Sequence, residues 1–273
     1  MAITTFDGYI GAFKQYVTIA KTASVTSSGG NPATTFAAAG FPTGGSAPAD
    51  TTTGLVPTDA VTGFPTIDAP AGSNKQYISR IEAYSSVSAH LALYDVLFWA
   101  GPTTIPTSGS TTVSLTSRPS FASRVPYMSD GTTRDWRTTE LWAWASTAWS
   151  NHAHSVSITY TDQSGNTGAT TGNVSTQSRA INRLMRMPWA AGDYGTQDLQ
   201  GYVVNGVASA TGAVTVMVMR RLWQGRLDTY TGVFGPDRTG MPQVFDTSAL
   251  MLVVTPDSNP TGTPTVSIEI AEG

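Results

Sequence analysis

The sequence predicts an all-β protein, a β-sandwich or jelly-roll-like domain with an extended N-terminal arm. Three observations predict it. Only 12% of the 273 residues are Asp, Glu, Lys or Arg, against about 25% in an average soluble domain, and long solvated helices cannot be built without Glu and Lys. The deficit is not disorder, because 40% of the residues are hydrophobic and 10% aromatic, enough for a packed core. From Tyr77 onward, apolar residues recur with period two between turn signals.

The chain divides into an arm, residues 1–72, and a β-sandwich domain, residues 73–273. In the arm, Thr5 can cap a short helix on which Phe6, Ile10 and Phe13 recur at helical spacing. Gly8 and Gly11 each weaken that helix by roughly 1 kcal/mol, so it forms only when docked. These three side chains are candidate interface residues. Ser24 to Ala71 is rich in Gly, Pro and Thr and has isolated apolar residues, Phe36, Phe41, Leu55, Val56, Phe64 and Ile67, without a sustained period. A stretch this long is expected to be an extended segment pinned at those points.

The strands follow in order. Ile81 and Ala83 alternate with Arg80 and Glu82; His90 to Trp99 is a nearly continuous apolar run interrupted by Asp95; Val113 and Leu115 bracket Ser114. In Ser155 to Thr161 the alternation is strict, and Asp162–Thr167 supplies a turn after it. Asn205-Gly206 predicts a type I′ hairpin between the valines on either side. Val214, Val216 and Val218, then Leu250 to Val254, then Val266, Ile268 and Ile270 complete about nine strands, the spacing of a sandwich or jelly roll. Ser178 to Met187 is ambiguous: Ile181, Leu184 and Met185 with Arg179, Arg183 and Arg186 could mark one helical turn or two.

Glu140 to Ser146 has two apolar faces. Leu141, Ala143 and Ala145 point one way, Trp142 and Trp144 the other. One face fills the domain's own core, so the tryptophans are expected beneath the arm, a second sheet or another subunit. Burying both offers on the order of 10 kcal/mol before entropy costs. Trp142 and Trp144 are therefore interface candidates. So are Arg118 and Arg124, on the extended strap Arg118–Pro126, whose guanidinium forks suit carbonyls and carboxylates.

The chemistry that the sequence argues against is broad. The 273 residues contain no cysteine, which removes thiol catalysis, disulfides and Cys-ligated zinc. The net charge is −3, and the densest basic spots are Arg179–Arg186 and Arg220-Arg221, so no nucleic-acid partner is expected. No run approaches a membrane span, and the opening Met1–Asp7 has no basic region before an apolar one, so no leader is expected. His152 and His154 lie two apart but lack an evident third ligand, and no metal or cofactor is expected. Nucleophile-elbow, zinc-protease and phosphate-loop motifs are absent. Asp130, Asp135 and Glu140 are candidates for a third ligand only by proximity in sequence, and would be the carboxylates of a polysaccharide-degrading enzyme; the tryptophan cluster Trp136, Trp142, Trp144 and Trp149 could instead serve as a sugar-stacking platform.

Several segments, in order, resemble a family of tailed-bacteriophage virion structural proteins: Met1–Phe13, Gly54–Ala60, Gly63–Ile67, Leu93–Gly101, the Arg118–Pro126 strap, Thr159–Gly168 and Arg238–Phe245. The resemblance spans nearly the whole chain, and it is the order of the segments that is specific. It implies a non-enzymatic particle component located on the virion. The first expectation is a decoration (cement) protein on the capsid surface, assembled in the host cytoplasm. Its partners would be the major capsid protein and further copies of itself, as a homo-oligomer, by analogy a trimer. The alternative is a tail or fibre component with a receptor- or glycan-binding role.

Overall fold

A computed structural model of the chain describes residues 6–20, 34–36, 50–176, 179, 181, 183–228, 230–256 and 262–273. Its elements, in chain order, begin with the helix α1 (Phe6–Gly11) and the strands β1 (Phe13–Ala20), β2 (Thr34–Phe36), β3 (Asp50–Leu55), β4 (Gln76–Tyr84), β5 (Ala89–Thr104) and β6 (Ser110–Ser114). After these come β7 (Thr139–Thr147), β8 (Ser155–Asp162), β9 (Ala169–Thr170), β10 (Val174–Ser175), β11 (Leu184–Arg186), β12 (Thr196–Asn205) and β13 (Ala213–Leu227). The chain ends with β14 (Thr231–Phe234), the helix α2 (Pro236–Thr239), β15 (Gln243–Val244), β16 (Leu250–Pro256) and β17 (Thr265–Glu272). The protein is all-β. Among the described residues no helix is long and apolar enough to cross a membrane.

Three antiparallel sheets form two layers. The central sheet runs β11-β7-β13-β5-β16-β2, with β3 on β5. The terminal sheet runs β1-β17-β4-β14, with β15 also on β4, and the lateral sheet runs β10-β8-β12-β6, with β9 on β8. The long strands β5 and β13 pair along nearly their full length, so one pair of strands serves both outer sheets. From one face, Leu97, Phe98, Ala100, Val214, Val216 and Val218 meet Val156, Ile158, Tyr160 and Tyr202 of the lateral sheet. Further along, Leu91, Leu93, Leu222 and Leu227 meet Ile78, Ile81, Ile268 and Ile270 of the terminal sheet. The register shift opposite Leu97 lets Leu97 and Phe98 enter the same core, which strict alternation forbids.

Between these two cores lies a buried charged cluster. Asp95 interrupts the apolar run of β5 and is fully buried. Its Oδ1 accepts from Arg124 (2.6 Å) and from the Ala249 amide (3.0 Å); its Oδ2 accepts from Ser248 (2.8 Å) and Arg220 (3.3 Å). Arg124 also donates to the carbonyls of Pro57, Val96 and Thr247, and Arg220 to that of Gln243. The strap thus engages both carbonyls and a carboxylate, the two acceptor types that the sequence anticipated. Burial lowers the Arg220 pKa, and Asp95 opposes that shift.

Three local expectations are corrected. β12 and β13 do not form a hairpin: β12 pairs with β6 and β8, and the 206–212 link crosses between layers. Gly206 lacks a positive φ; a Cβ there would lie 1.6 Å from the Pro106 carbonyl oxygen, so close approach explains the glycine. In the Ser178–Met187 segment, Leu184–Arg186 forms β11 and pairs with Trp142–Trp144, because it completes the β7 edge. The first helix stops at Gly11, and Phe13 opens β1 opposite Glu272. Within residues 1–72, β1, β2 and β3 join the sheets of 73–273, on β17, β16 and β5 respectively.

Replacing Asp95 by Ala leaves two buried guanidiniums without their carboxylate. Unfolding in denaturant is expected to show a loss of about 3–5 kcal/mol, the usual cost of breaking a buried pair from one side. A loss below about 1 kcal/mol, the range of an exposed pair, would contradict the structural role given to the cluster.

Candidate functional site

The outer face of the terminal sheet is an open surface. Its inner residues, Val17, Ile19, Ile78, Ile81, Ala83, Val266 and Ile268, are buried, so their alternates face outward. Register places Tyr16 beside Glu269, Thr18 beside Ser267, and Ala20 beside Thr265. On the other side of β17, Thr265 and Ser267 neighbour Tyr84 and Glu82, and β14 adds Thr231 and Val233 at the edge. Tyr16, Tyr84 and Val233 are 64%, 50% and 61% exposed. A shallow cavity of about 350 Å3 lies among Glu82, Tyr84, Thr231, Val233, Thr265 and Ser267. Charge on this face is largely self-neutralised: Arg80 and Glu82 pair at 2.6 Å, and Glu269 is engaged beneath. A flat face of hydroxyls with aromatic and aliphatic tips can be desolvated without burying unpaired charge.

Glu269 ties the N-terminal elements to this sheet. It is 4% exposed. Its carboxylate accepts from Ser79 (2.7 Å), from Tyr9 of α1 (2.9 Å) and from Tyr16 of β1 (2.8 Å), and Lys14 Nζ lies 3.8 Å away. Burial pushes its pKa up, but the hydroxyl donors and Lys14 outweigh that and hold it below the ordinary glutamate value.

Of the residues singled out from sequence, the two tryptophans and two arginines lie away from this face. The side chains of Phe6, Ile10 and Phe13 lie outside the described residues. Trp142 and Trp144 are 6% and 3% exposed and pack on the outer face of the central sheet with Tyr94, Trp99, Met217 and Phe64. Trp136 and Trp149 belong to the core beneath the lateral sheet. The four clustered tryptophans are therefore interior and form no exposed stacking platform. Arg118 forks onto Asp198 (3.0, 2.8 and 2.5 Å) and donates to the Leu115 carbonyl. Arg124 is buried in the Asp95 cluster. His154 is buried against Thr176 and Trp149, and burial lowers its pKa, while His152 is exposed. No group of three His, Asp or Glu among the described residues could hold a metal. Asp130 closes a turn on the Thr132 and Thr133 amides, Asp135 pairs with Arg137 at 2.7 Å, and Glu140 is buried between Arg186 and Arg221. Sequence reasoning missed Tyr16, Tyr84 and Val233. Tyr84 occupies the polar phase of the Arg80/Glu82 alternation, which was a usable signal; four-residue β14 offered none.

No family model and no curated protein matches the chain. Among solved structures, the chain is similar to the VP2 subviral particle of infectious bursal disease virus, with 10% identity, a TM-score of 0.20, and 96% of this chain and 80% of that chain covered. It is also similar to a chain of Sulfolobus turreted icosahedral virus, with 8% identity, a TM-score of 0.17, and 80% and 89% covered. A third is an archaeal-virus chain described by a triple jelly roll fold and turret assembly, with 10% identity, a TM-score of 0.14, and 81% and 89% covered. Scores of this size carry neither a family nor a role. The all-β assignment stands on the strands themselves.

The Glu269 clamp has a defined pH dependence. A carboxylate with a lowered folded pKa stabilises above its unfolded value of about 4.3 and loses that contribution as pH falls through the folded value. Amides of β1 are expected to lose hydrogen-exchange protection below about pH 4 while β5 amides keep theirs. Glu269→Gln is expected to weaken β1 protection at pH 7. Protection of β1 that stays level from pH 7 to pH 3 would exclude the clamp.

Proposed function

We propose that this chain is a structural virion protein that binds and stabilises the outside of a capsid, with no enzymatic role. The observation that carries the proposal is the outer face of the terminal sheet: open and hydroxyl-rich, with its one exposed ion pair internally closed and with Tyr16, Tyr84 and Val233 projecting. Interface centres are depleted in charge and enriched in aromatics, and this composition matches the charge deficit of the whole chain. The in-order resemblance to tailed-bacteriophage virion proteins points the same way. On this reading the face lies against the major capsid protein, and copies associate through closed symmetry, with a trimer as the simplest arrangement on a three-fold position. Assembly takes place in the host cytoplasm. The tail or fibre reading keeps its place as the alternative, but the burial of all four clustered tryptophans removes the feature that most favoured glycan binding.

Introducing charge on this face should abolish attachment without unfolding the protein. Tyr84→Asp with Val233→Asp is expected to cut binding to particles lacking the protein by at least about tenfold, because each carboxylate would be desolvated without a partner. Circular dichroism and the melting temperature should stay near wild type. Wild-type attachment by the double variant would overturn the assignment of this face. Quantitative mass spectrometry of purified particles is expected to find hundreds of copies per virion; a handful would favour the tail or fibre role.

A further inference from the structure

The central sheet has an incomplete edge. β7 accompanies β13 from Ala213 only as far as the pair Arg220–Thr139. Beyond it, residues 221–225 pair with β5 alone among the described residues. The space that a continuing β7 would fill borders a groove of about 370 Å3 lined by His90, Tyr94, Trp142, Arg186, Arg221 and Arg226. This lies on the outer face of the sheet, where the floor drops at the small Ala92.

The groove is cationic, and its cations are held in place. Glu140, 3% exposed, accepts from Tyr94 (3.0 Å) and Trp142 Nε1 (3.2 Å) through Oε2. Its Oε1 lies 3.3 Å from both Arg186 and Arg221. One buried carboxylate thus holds two guanidiniums side by side, and both remain substantially exposed. Arg221 also donates to Gln224 (3.2 Å), and Arg226 contacts Asp228 and His90 at the far end. Among the described residues, Arg186, Arg221 and Arg226 gather at this groove with Glu140 and Asp228, in a chain whose overall charge is −3.

We propose that this edge receives an extended, acidic strand from a partner protein by β-sheet addition. The register states its pattern. Arg221 stands opposite Tyr94, Gln224 opposite Ala92 and Arg226 opposite His90, so the bulge after Arg221 sets the two arginines four ladder positions apart. A strand laid beside β13 therefore places carboxylates at positions i and i+4 and a hydrogen-bonding side chain at i+2, on one face. Main-chain hydrogen bonds supply attachment and the arginines supply selectivity. The edge does not suit a second copy of itself, because antiparallel self-pairing sets Arg221 against Arg226 of the other copy, and like charges repel. The proposal is independent of where the protein resides.

The test uses the full chain and a blocked heptapeptide, Thr-Glu-Thr-Thr-Thr-Glu-Thr, with a control carrying Lys in place of both Glu. Binding is read by tryptophan fluorescence and by hydrogen exchange of the outward-pointing amides in 221–225. The acidic peptide is expected to bind, to slow exchange at those amides, and to weaken as salt rises from 50 to 500 mM, about the range over which surface pairs become screened. The Lys peptide should not bind. Arg226→Gln, at an exposed position, should weaken the acidic peptide about threefold while retaining the wild-type melting curve, and Arg221→Gln should weaken it by a similar factor. Equal binding of the two peptides, or no binding of the acidic one at millimolar concentration, would refute the proposal. So would protection of 221–225 before any peptide is added, which would show the edge already filled.

Discussion

A single carboxylate, Asp95, holds two cores in one molecule. The lateral and terminal sheets each pack on a different stretch of β5 and β13, and nothing apolar in those strands requires the two packings to share an orientation. At the junction, Asp95 gathers Arg124 from the strap, Arg220 from β13 and the Ser248–Ala249 backbone ahead of β16. Arg124 reaches further, to the Pro57 carbonyl on the segment that leads toward Phe64. An apolar junction would pack as tightly and could be as stable. It would not specify direction: hydrogen bonds from a buried guanidinium fix angle and register, whereas methyl groups slide. The cluster sits where β5, β13, the strap and the approach to β16 meet.

The surface obeys a different constraint. With so few charges, the exterior is rich in hydroxyls, and among the described residues several ionic groups pair within the chain: Arg80 with Glu82, Arg118 with Asp198, Arg137 with Asp135. The terminal sheet then offers a face whose desolvation strands no ion. The groove beside β13 is the exception, because there a buried glutamate holds arginines outward. The two surfaces differ in charge, one largely neutral and the other lined by arginines, and they lie on opposite layers of the same half of the molecule.

Much of the fold was legible in sequence. The strands with clean alternation, such as Ser155–Asp162 and Thr265–Glu272, were readable because one face is buried and the other solvated. The two-faced character of β7 was legible for the same reason, as were the acceptors of the strap's arginines, although Ala122–Arg124 within the strap is a 3-10 turn rather than extended. The candidate surface was not. Its residues come from β1, β4, β14 and β17, far apart in the chain, and period-two reading gives phase but not exposure. Asn205-Gly206 misled because a glycine demanded by contact with Pro106 looks the same as one demanded by a turn. Leu184–Arg186 was ambiguous because a three-residue strand has no period to read.

By itself, the sequence determined the class of this protein: strands, a hydroxyl-rich exterior, no thiol chemistry and an apolar interior large enough to fold. These are properties of composition and local alternation, and each residue carries its share of the signal. Only the tertiary structure decided which tryptophans are interior, that Asp95 rather than a hydrophobic seam joins the cores, and that β13 outruns β7 to leave an edge beside three arginines. Those are properties of pairing between distant segments. Strand register and layer order are set by long-range packing and buried hydrogen bonds, which a pattern two residues in period cannot encode.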